Sequence, residues 1–122
     1  MERVGYRVAI ASTDGRNVDQ HFGRCECFLI VDVDEDGSFE EIEARYVTPV
    51  CMGGYHDQDK LKKGAEALLD CNFVLAAKIG PGAMDELEER GIAAFQIPGP
   101  VAASLDKLDK YLKLLETISV QL

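Results

Sequence analysis

The side chains best suited to metal chemistry stand together after the first hydrophobic segment of the chain. Residues 12–27 have the sequence STDGRNVDQHFGRCEC, in which one of the two histidines, His21, is followed closely by Cys25 and Cys27. Imidazole and thiolate hold soft and borderline transition metals, including the iron of iron–sulfur clusters. The segment is polar, turn-rich and directly follows a predicted strand, residues 6–11, and such scaffolded loops often carry binding residues. The sequence therefore predicts a candidate metal-binding loop here.

A second candidate loop is the irregular segment at residues 48–57. Cys51 and His56 stand on either side of Gly53 and Gly54. Glycines let the backbone approach a bulky ligand closely. Cys51 and His56 are therefore further candidate ligands, and the alternative for His56 is a capping role at the helix that follows.

Each candidate ligand also has a structural alternative. His21 could be a solvated or locally hydrogen-bonded loop histidine. Cys25 and Cys27 could fill a strand, since free cysteine packs as a small hydrophobe, and Cys71, between a predicted helix and a predicted strand, is expected to pack in the core. The four cysteines lack the C-x-x-C pairs of a zinc ribbon and do not suggest a disulfide framework in a chain that we expect to be cytoplasmic.

Composition narrows the classes of function. The chain has 122 residues, enough for one domain with a single core. Its net charge of −9 disfavours nucleic acid as a partner, because phosphates are neutralised by clustered Lys and Arg. No apolar run approaches the roughly 20 residues that span a bilayer, and residues 1–5 show no apolar export signal, so we expect a cytoplasmic protein without a membrane partner.

The sequence gives little support for an enzyme. No nucleophile motif stands out, and two histidines offer little general-base capacity. Asp14 and Asp19 lie near one strand end, but no further carboxylates obviously complete a two-metal nuclease site. We therefore expect a protein without catalytic residues.

Hydrophobic periodicity predicts the strands and helices that hold these loops in place. Five strands are predicted, at residues 6–11, 26–33, 39–47, 72–77 and 92–97. Three helices are predicted, over residues 58–70, from Pro81 to Gly91, and after Gly99-Pro100. The order β-β-β-α-β-α-β-α predicts a single three-layer α/β domain over residues 1–122 with a five-stranded mixed sheet, because strand–helix alternation implies parallel crossovers beside an initial hairpin.

The helices have apolar faces, and two of them begin at glycine-rich turns. The first face is Leu61, Ala65, Leu68 and Leu69, and the last is Val101, Leu105, Leu108, Leu112 and Leu115. The turns at residues 80–82 and 99–100 could present helix N-termini to an anion. Neither carries a Walker or G-x-G-x-x-G motif, so plain strand-to-helix turns are the favoured interpretation.

Several segments together resemble a known family. They are VDQHFG at 18–23, residues 45–61 with DQDKL, the stretch LDCNFVL at 69–75, and IGPGA at 79–83 with ERGI at 89–92. In this order they resemble the NifX/NafY family and the C-terminal domain of NifB, the dinitrogenase iron–molybdenum cofactor biosynthesis domain. The similarity covers roughly residues 6–118.

The resemblance implies a ribonuclease-H-like arrangement with strand order 3-2-1-4-5 and strand 2 antiparallel. It also implies a non-catalytic binding or carrier protein whose cargo is an iron–sulfur-type metallocofactor or precursor, NifB-co or iron–molybdenum cofactor. Nitrogenase assembly proteins would be its protein partners. Two alternatives remain open: the same fold with another metal or metal-sulfide cluster as cargo, and a metal-free regulatory or interaction module.

The residue types and the resemblance together give a candidate site. We expect the cofactor-binding residues to be His21, Arg24, Gly53 and Gly54, and the metal ligands to be His21, Cys25, Cys51 and His56. The histidine of the first loop is associated with cofactor binding in the family, whereas the Cys25/Cys27 doublet departs from the family pattern. Because such cofactors are usually anionic, local positive potential must come from Arg24, Lys60 or helix N-termini. A shared site further requires that the loops at 12–24 and 48–57 lie at the same end of the sheet.

Overall fold

A computed structural model describes residues 5–47 and 57–121 of the chain. The strands are β1 (Tyr6–Ala11), β2 (Asn17–Val18), β3 (Cys27–Val33), β4 (Phe39–Tyr46), β5 (Phe73–Ala76), β6 (Ala93–Gln96) and β7 (Gly99–Pro100). The helices are α1 (Asp57–Glu66), α2 (Pro81–Glu89) and α3 (Val101–Gln121), and a 3₁₀ turn spans Phe22–Arg24.

The main sheet has five strands in the order β4-β3-β1-β5-β6. Strand β3 is antiparallel to both β1 and β4, whereas β5 is parallel to β1 and β6 is parallel to β5. The hydrogen-bonded order of the five predicted strands is thus 3-2-1-4-5, with the first strand at the centre. The predicted α/β class and the mixed five-stranded sheet are confirmed.

Helices cover both faces of the sheet, which gives three layers. Ala9 and Ala11 of β1 belong to an apolar cluster with residues of α1 and α2, whereas Val8 and Ile10 belong to a second cluster with residues of α3. Because successive side chains of a strand point to opposite faces, β1 must be apolar at every central position. All four of these side chains are fully buried, so β1 is the rigid centre from which the next loop leaves.

The hairpin of β3 and β4 contains the irregularity that its imperfect alternation predicts. Ile30 pairs with Glu43, but the next residue, Val31, pairs with Glu41. Ile42 is therefore the extra residue of a β-bulge, and its side chain is exposed.

The predicted end of the first helix requires correction. The first helix was predicted to run to residue 70, but α1 ends at Glu66 and turns follow, in which the Leu68 and Leu69 N–H groups donate three residues back. Arg45 stabilises this ending because its guanidinium donates to the Ala67 carbonyl at 3.1 Å. Leu69 consequently leaves the predicted apolar face and is 60% exposed.

The apolar face of α3 also ends earlier than predicted. Val101, Leu105 and Leu108 are buried against the sheet, but Leu115 is 41% exposed. The helix packs on the sheet as far as Leu112, and residues 113–117 are exposed. No helix within the described ranges is both long and apolar enough to cross a membrane.

Gly91 ends α2 as predicted. Its φ is +76°, a conformation that L side chains avoid, and its N–H donates to the Glu88 carbonyl. The N–H of Ile92 donates to the carbonyl of Leu87, which completes a Schellman motif. Both Leu87 and Ile92 are buried, so the helix ending also fixes where β6 begins.

A small second sheet was not predicted. Asn17 pairs with Pro100 and Val18 with Gly99, so β2 and β7 form a two-stranded antiparallel sheet. Strands of two residues show no hydrophobic periodicity, and their pairing depends entirely on tertiary contacts. This sheet ties the loop after β1 to the start of α3, where the Val101 N–H donates to the Arg16 carbonyl at 2.8 Å.

Candidate functional site

The first half of the loop after β1 is organised around one carboxylate. Oδ1 of Asp14 accepts hydrogen bonds from the N–H groups of Arg16 and Asn17 at 2.8 and 2.9 Å. These backbone donors lower the pKa of Asp14 to about 2. The turn also requires Gly15 at φ +74°, where its N–H donates to the Ser12 hydroxyl. The loop is therefore held in one conformation at neutral pH.

The second half of the loop returns to the end of β1. The Thr13 N–H donates to the carboxylate of Asp19 at 2.8 Å. The N–H groups of Asp19 and Gln20 both donate to the Ala11 carbonyl at 3.3 Å. Asp14 and Asp19 thus act as acceptors that shape the loop, which accounts for both carboxylates without a nuclease role.

These contacts place His21 beside the end of β5. His21 and Lys78 form an isolated parallel β-bridge, supported by bonds from the Ala77 N–H to the Gln20 carbonyl and from the Phe22 N–H to the Lys78 carbonyl, both 2.9 Å. The next side chain, Phe22, is only 3% exposed and packs in the core, whereas His21 is exposed. The imidazole is therefore presented to solvent from a fixed backbone.

His21 lines a cleft of about 420 Å³. The cleft lies where the parallel strands β1 and β5 end, the edge at which α/β proteins bind ligands. Its walls come from the loop after β1, from α1, and from the turn that leads into α2. The lining residues are His21, Gly23, Arg24, Leu61, Lys78, Gly80, Gly82 and Ala83. Two predicted site residues, His21 and Arg24, are thus brought together.

The charged side chains that the structure describes in the cleft are both positive, although the protein is acidic. Arg24 and Lys78 are exposed, and neither makes an ion pair with a residue of the described ranges. Among the residues of the cleft wall that the structure describes, none is acidic. The N-terminus of α2 also faces the cleft: Gly80 is the N-cap without a side-chain hydrogen bond, and Pro81 occupies the first turn. The first N–H groups of a helix lack intrahelical acceptors and carry partial positive charge.

The sequence pattern did not single out Lys78. The signal was nevertheless present, because Lys78 directly follows the predicted strand at 72–77 and the carboxyl ends of parallel strands form the binding edge of an α/β sheet. What the sequence could not show is that this strand pairs with β1 and so brings Lys78 next to His21.

Cys25 lies in the core. It is 5% exposed, belongs to the apolar cluster that contains Phe22 and Phe28, and does not line the His21 cleft. Its thiol donates to the Cys27 carbonyl at 3.0 Å, and burial raises the pKa of the thiol to about 11. A protonated, buried thiol is a poor metal ligand. This placement is that of a packing residue, and Cys27 is half-buried beside it.

Cys71 packs in the core as predicted. It is 4% exposed, and burial raises the pKa of its thiol to about 12. Its neighbour Asp70 binds two guanidinium groups, Arg45 at 2.6 Å and Arg7 at 2.8 Å. The hydrogen bonds from Arg45 and Arg7 hold the pKa of Asp70 well below its usual range. Asp70 therefore belongs to an ion-pair cluster at the ending of α1.

The second predicted loop lies outside the described residues, and with it Cys51, Gly53, Gly54 and His56. Their roles, and the shared location of the loops at 12–24 and 48–57, stay predictions. Within residues 5–47 and 57–121, no three His, Cys, Asp or Glu side chains are grouped so that they could hold a metal ion.

An α/β domain with a cationic cleft at the carboxyl edge of its sheet has the architecture of a ligand-binding domain. Residues 4–111 match the family model described as dinitrogenase iron–molybdenum cofactor, so the chain belongs to this family.

The comparisons with individual proteins agree with this family. The chain is 39% identical over 85 residues to the FeMo cofactor biosynthesis protein NifB of Herbaspirillum seropedicae, and the alignment covers 70% of this chain but 16% of that protein. It is 29% identical over 107 residues to the protein NifX of Rhodobacter capsulatus, covering 84% of this chain and 67% of that protein. The crystal structure of the protein PH0822 superposes with a TM-score of 0.63 at 25% identity, covering 84% of this chain and 88% of that one.

Proposed function

We propose that this domain acts in iron–molybdenum cofactor biosynthesis by binding an iron–sulfur-type metallocofactor or its precursor, NifB-co or iron–molybdenum cofactor. It carries this cargo without chemical turnover. The observation that carries the proposal is the exposed imidazole of His21, held on a fixed backbone inside a cationic cleft, in a chain that belongs to the dinitrogenase iron–molybdenum cofactor family.

His21 is suited to ligate a metal atom at the surface of a cluster. Imidazole binds iron well, and sulfides of the cluster fill the other coordination positions of that iron. Within the described part of the chain no side chain is hydrogen-bonded to the imidazole, so ligation would break no hydrogen bond there. The bond from the Arg24 N–H to the His21 carbonyl and the bridge to Lys78 keep its backbone in place.

The size and charge of the cleft also suit such a cargo. A cleft of about 420 Å³ falls within the usual range of small-molecule sites, about 300 to 1,000 Å³. Arg24, Lys78 and the N-terminus of α2 supply the positive potential that an anionic cluster requires, although the chain carries a net charge of −9.

The decisive experiment is an anaerobic titration of wild-type protein and His21→Ala with isolated NifB-co. We expect the substitution to weaken binding by more than about tenfold, because even indirect partners of a metal ligand contribute that much to affinity. The free energy of unfolding, measured in urea, should change by about 0.5 kcal/mol or less, since His21 is an exposed loop side chain.

The other histidine of the chain supplies the matched control. His56→Ala also removes one imidazole, but from the second loop, and it tests whether that loop contributes a ligand. Unchanged affinity in His21→Ala together with lost affinity in His56→Ala would move the ligand to the second loop. If the wild-type protein takes up no cluster, the carrier function is wrong.

A further inference from the structure

Lys78 is placed beside His21 by the backbone. The two residues are partners in a parallel bridge, and the Lys78 carbonyl accepts the Phe22 N–H at 2.9 Å. Adjacent strands lie about 5 Å apart, so the two side chains leave the backbone close together. Both side chains line the same cleft. Any ligand that reaches the imidazole is therefore within range of the ammonium group of Lys78.

Arg24 adds a second positive charge to the cleft, three residues after His21. Its backbone is held in the 3₁₀ turn, where its N–H donates to the His21 carbonyl at 3.1 Å. We call Arg24 and Lys78 the cleft cations.

The cleft cations differ from several other basic side chains of this chain in their electrostatic environment. Arg7, Arg45, Arg90, Lys110 and Lys113 each form ion pairs. The cleft cations make none with the described residues, and none of the described residues that line their cleft is acidic.

Other lysines also lack ion pairs, but they do not share this location. Lys107, for example, is exposed on α3, which packs on the opposite face of the sheet. Arg24 and Lys78 instead converge from two separate segments on one concave site that also holds an imidazole and the first turn of α2. Unneutralised charge in a cleft concentrates ligands of the opposite sign.

We propose that Lys78, together with Arg24, determines the specificity of the cleft by selecting cargo with net negative charge. This inference rests on the proposed function and extends it: His21 supplies the metal bond, and the cleft cations decide which metal-sulfide species can approach and stay. The ligand class is an anionic metal sulfide, and a neutral or cationic metal complex of similar size is excluded.

The test uses two probes, isolated NifB-co and the simple dianion tetrathiomolybdate, with the full chain under anaerobic conditions. Lys78→Gln removes one positive charge, and Lys78→Glu reverses it. Arg24→Gln tests the second cation. Lys107→Gln is the matched control, because it makes the same change in net charge on the other face of the sheet. Far-UV circular dichroism and thermal unfolding of each variant verify the fold.

We expect Lys78→Gln to weaken the binding of both probes by about tenfold at low salt, and Lys78→Glu to weaken it further, since one unit charge a few ångströms away in a partly solvated cleft has an effect of this size. Lys107→Gln should stay within about twofold of wild type, because its charge is distant and screened. Added salt should weaken binding to wild-type protein more steeply than binding to Lys78→Gln.

The outcomes separate this inference from the carrier function. If wild-type protein binds NifB-co and His21→Ala does not, while Lys78→Gln and Arg24→Gln bind like the control, the cleft cations do not select the cargo and the carrier function stands. If tetrathiomolybdate binding depends on Lys78 but NifB-co is not taken up, charge selection is supported and the carrier function fails. Binding of neither probe to wild-type protein overturns both.

Discussion

Replacing Phe22 with Ala should destabilise the domain and also weaken cargo binding. The Phe22 side chain is 3% exposed, and its ring centroid lies 5.5 Å from that of Phe28. On its other side the ring lies against Gly64 of α1, since a Cβ atom added to Gly64 would be 3.6 Å from Cζ of Phe22. Truncating such a ring leaves a cavity that the surrounding backbone cannot fill, and Phe→Ala changes in cores cost about 3 to 5 kcal/mol.

We expect about 3 to 4 kcal/mol for Phe22→Ala, because the ring packs against both the sheet and α1. For a domain of this size that loss corresponds to a decrease of about 10 to 15 °C in Tm. It is smaller than the stability of a typical domain, about 5 to 15 kcal/mol, so the variant should still fold. Because Phe22 anchors the backbone that carries His21, binding of NifB-co should weaken as well.

Urea unfolding followed by circular dichroism measures this loss directly. Phe22→Leu is the matched control, since it keeps most of the apolar volume and should cost about 1 to 1.5 kcal/mol. A loss below about 1 kcal/mol in Phe22→Ala would show that the ring does not anchor the loop, and the structural account of how His21 is positioned would be wrong.

Two further predictions follow from the pKa shifts. The pKa of Asp70 is held well below its usual value by Arg45 and Arg7, so its stabilisation is present at neutral pH and is lost as the pH falls from about 4 through the lowered pKa of the folded state; Asp70→Asn should cost about 1 kcal/mol in urea unfolding at pH 7, and this cost should decrease progressively over that acid range. A cost that does not decrease over that range would mean that these ion pairs do not stabilise the fold. Burial raises the thiol pKa values of Cys25 and Cys71 to about 11 and 12, so at pH 8 both should react with an alkylating reagent far more slowly than Cys27, as followed by mass spectrometry of digested protein. Rapid alkylation of native Cys25 would contradict its burial.

Most strands and helices of this protein could be predicted from local sequence patterns. The apolar run at residues 6–11 is a strand because it is buried on both faces, and the β3–β4 bulge was visible as a break in alternation. Pro81 and Gly91 marked the two ends of α2 because their backbone conformations are restricted or permitted independently of the rest of the chain. The polar loop that carries His21 could also be recognised, because its turn-forming residues and the spacing of its candidate ligands are visible without knowledge of the rest of the chain.

Which of these elements meet, and therefore where the candidate site forms, depends on tertiary contacts. Cys25 and Arg24 are neighbours in sequence, yet one packs in the core and the other faces the cleft, because the turn after His21 directs them differently. Lys78 joins His21 only because β5 pairs in parallel with β1, a contact between segments far apart in sequence. Leu69 and Leu115 had the spacing of core residues but are exposed. Leu69 lies after the end of α1, and Leu115 lies beyond the part of α3 that packs on the sheet. Periodicity indicates which face of a helix is apolar. How much of that face is buried depends on the size of the assembled sheet, because the part of a helix that extends beyond the sheet has nothing to pack against.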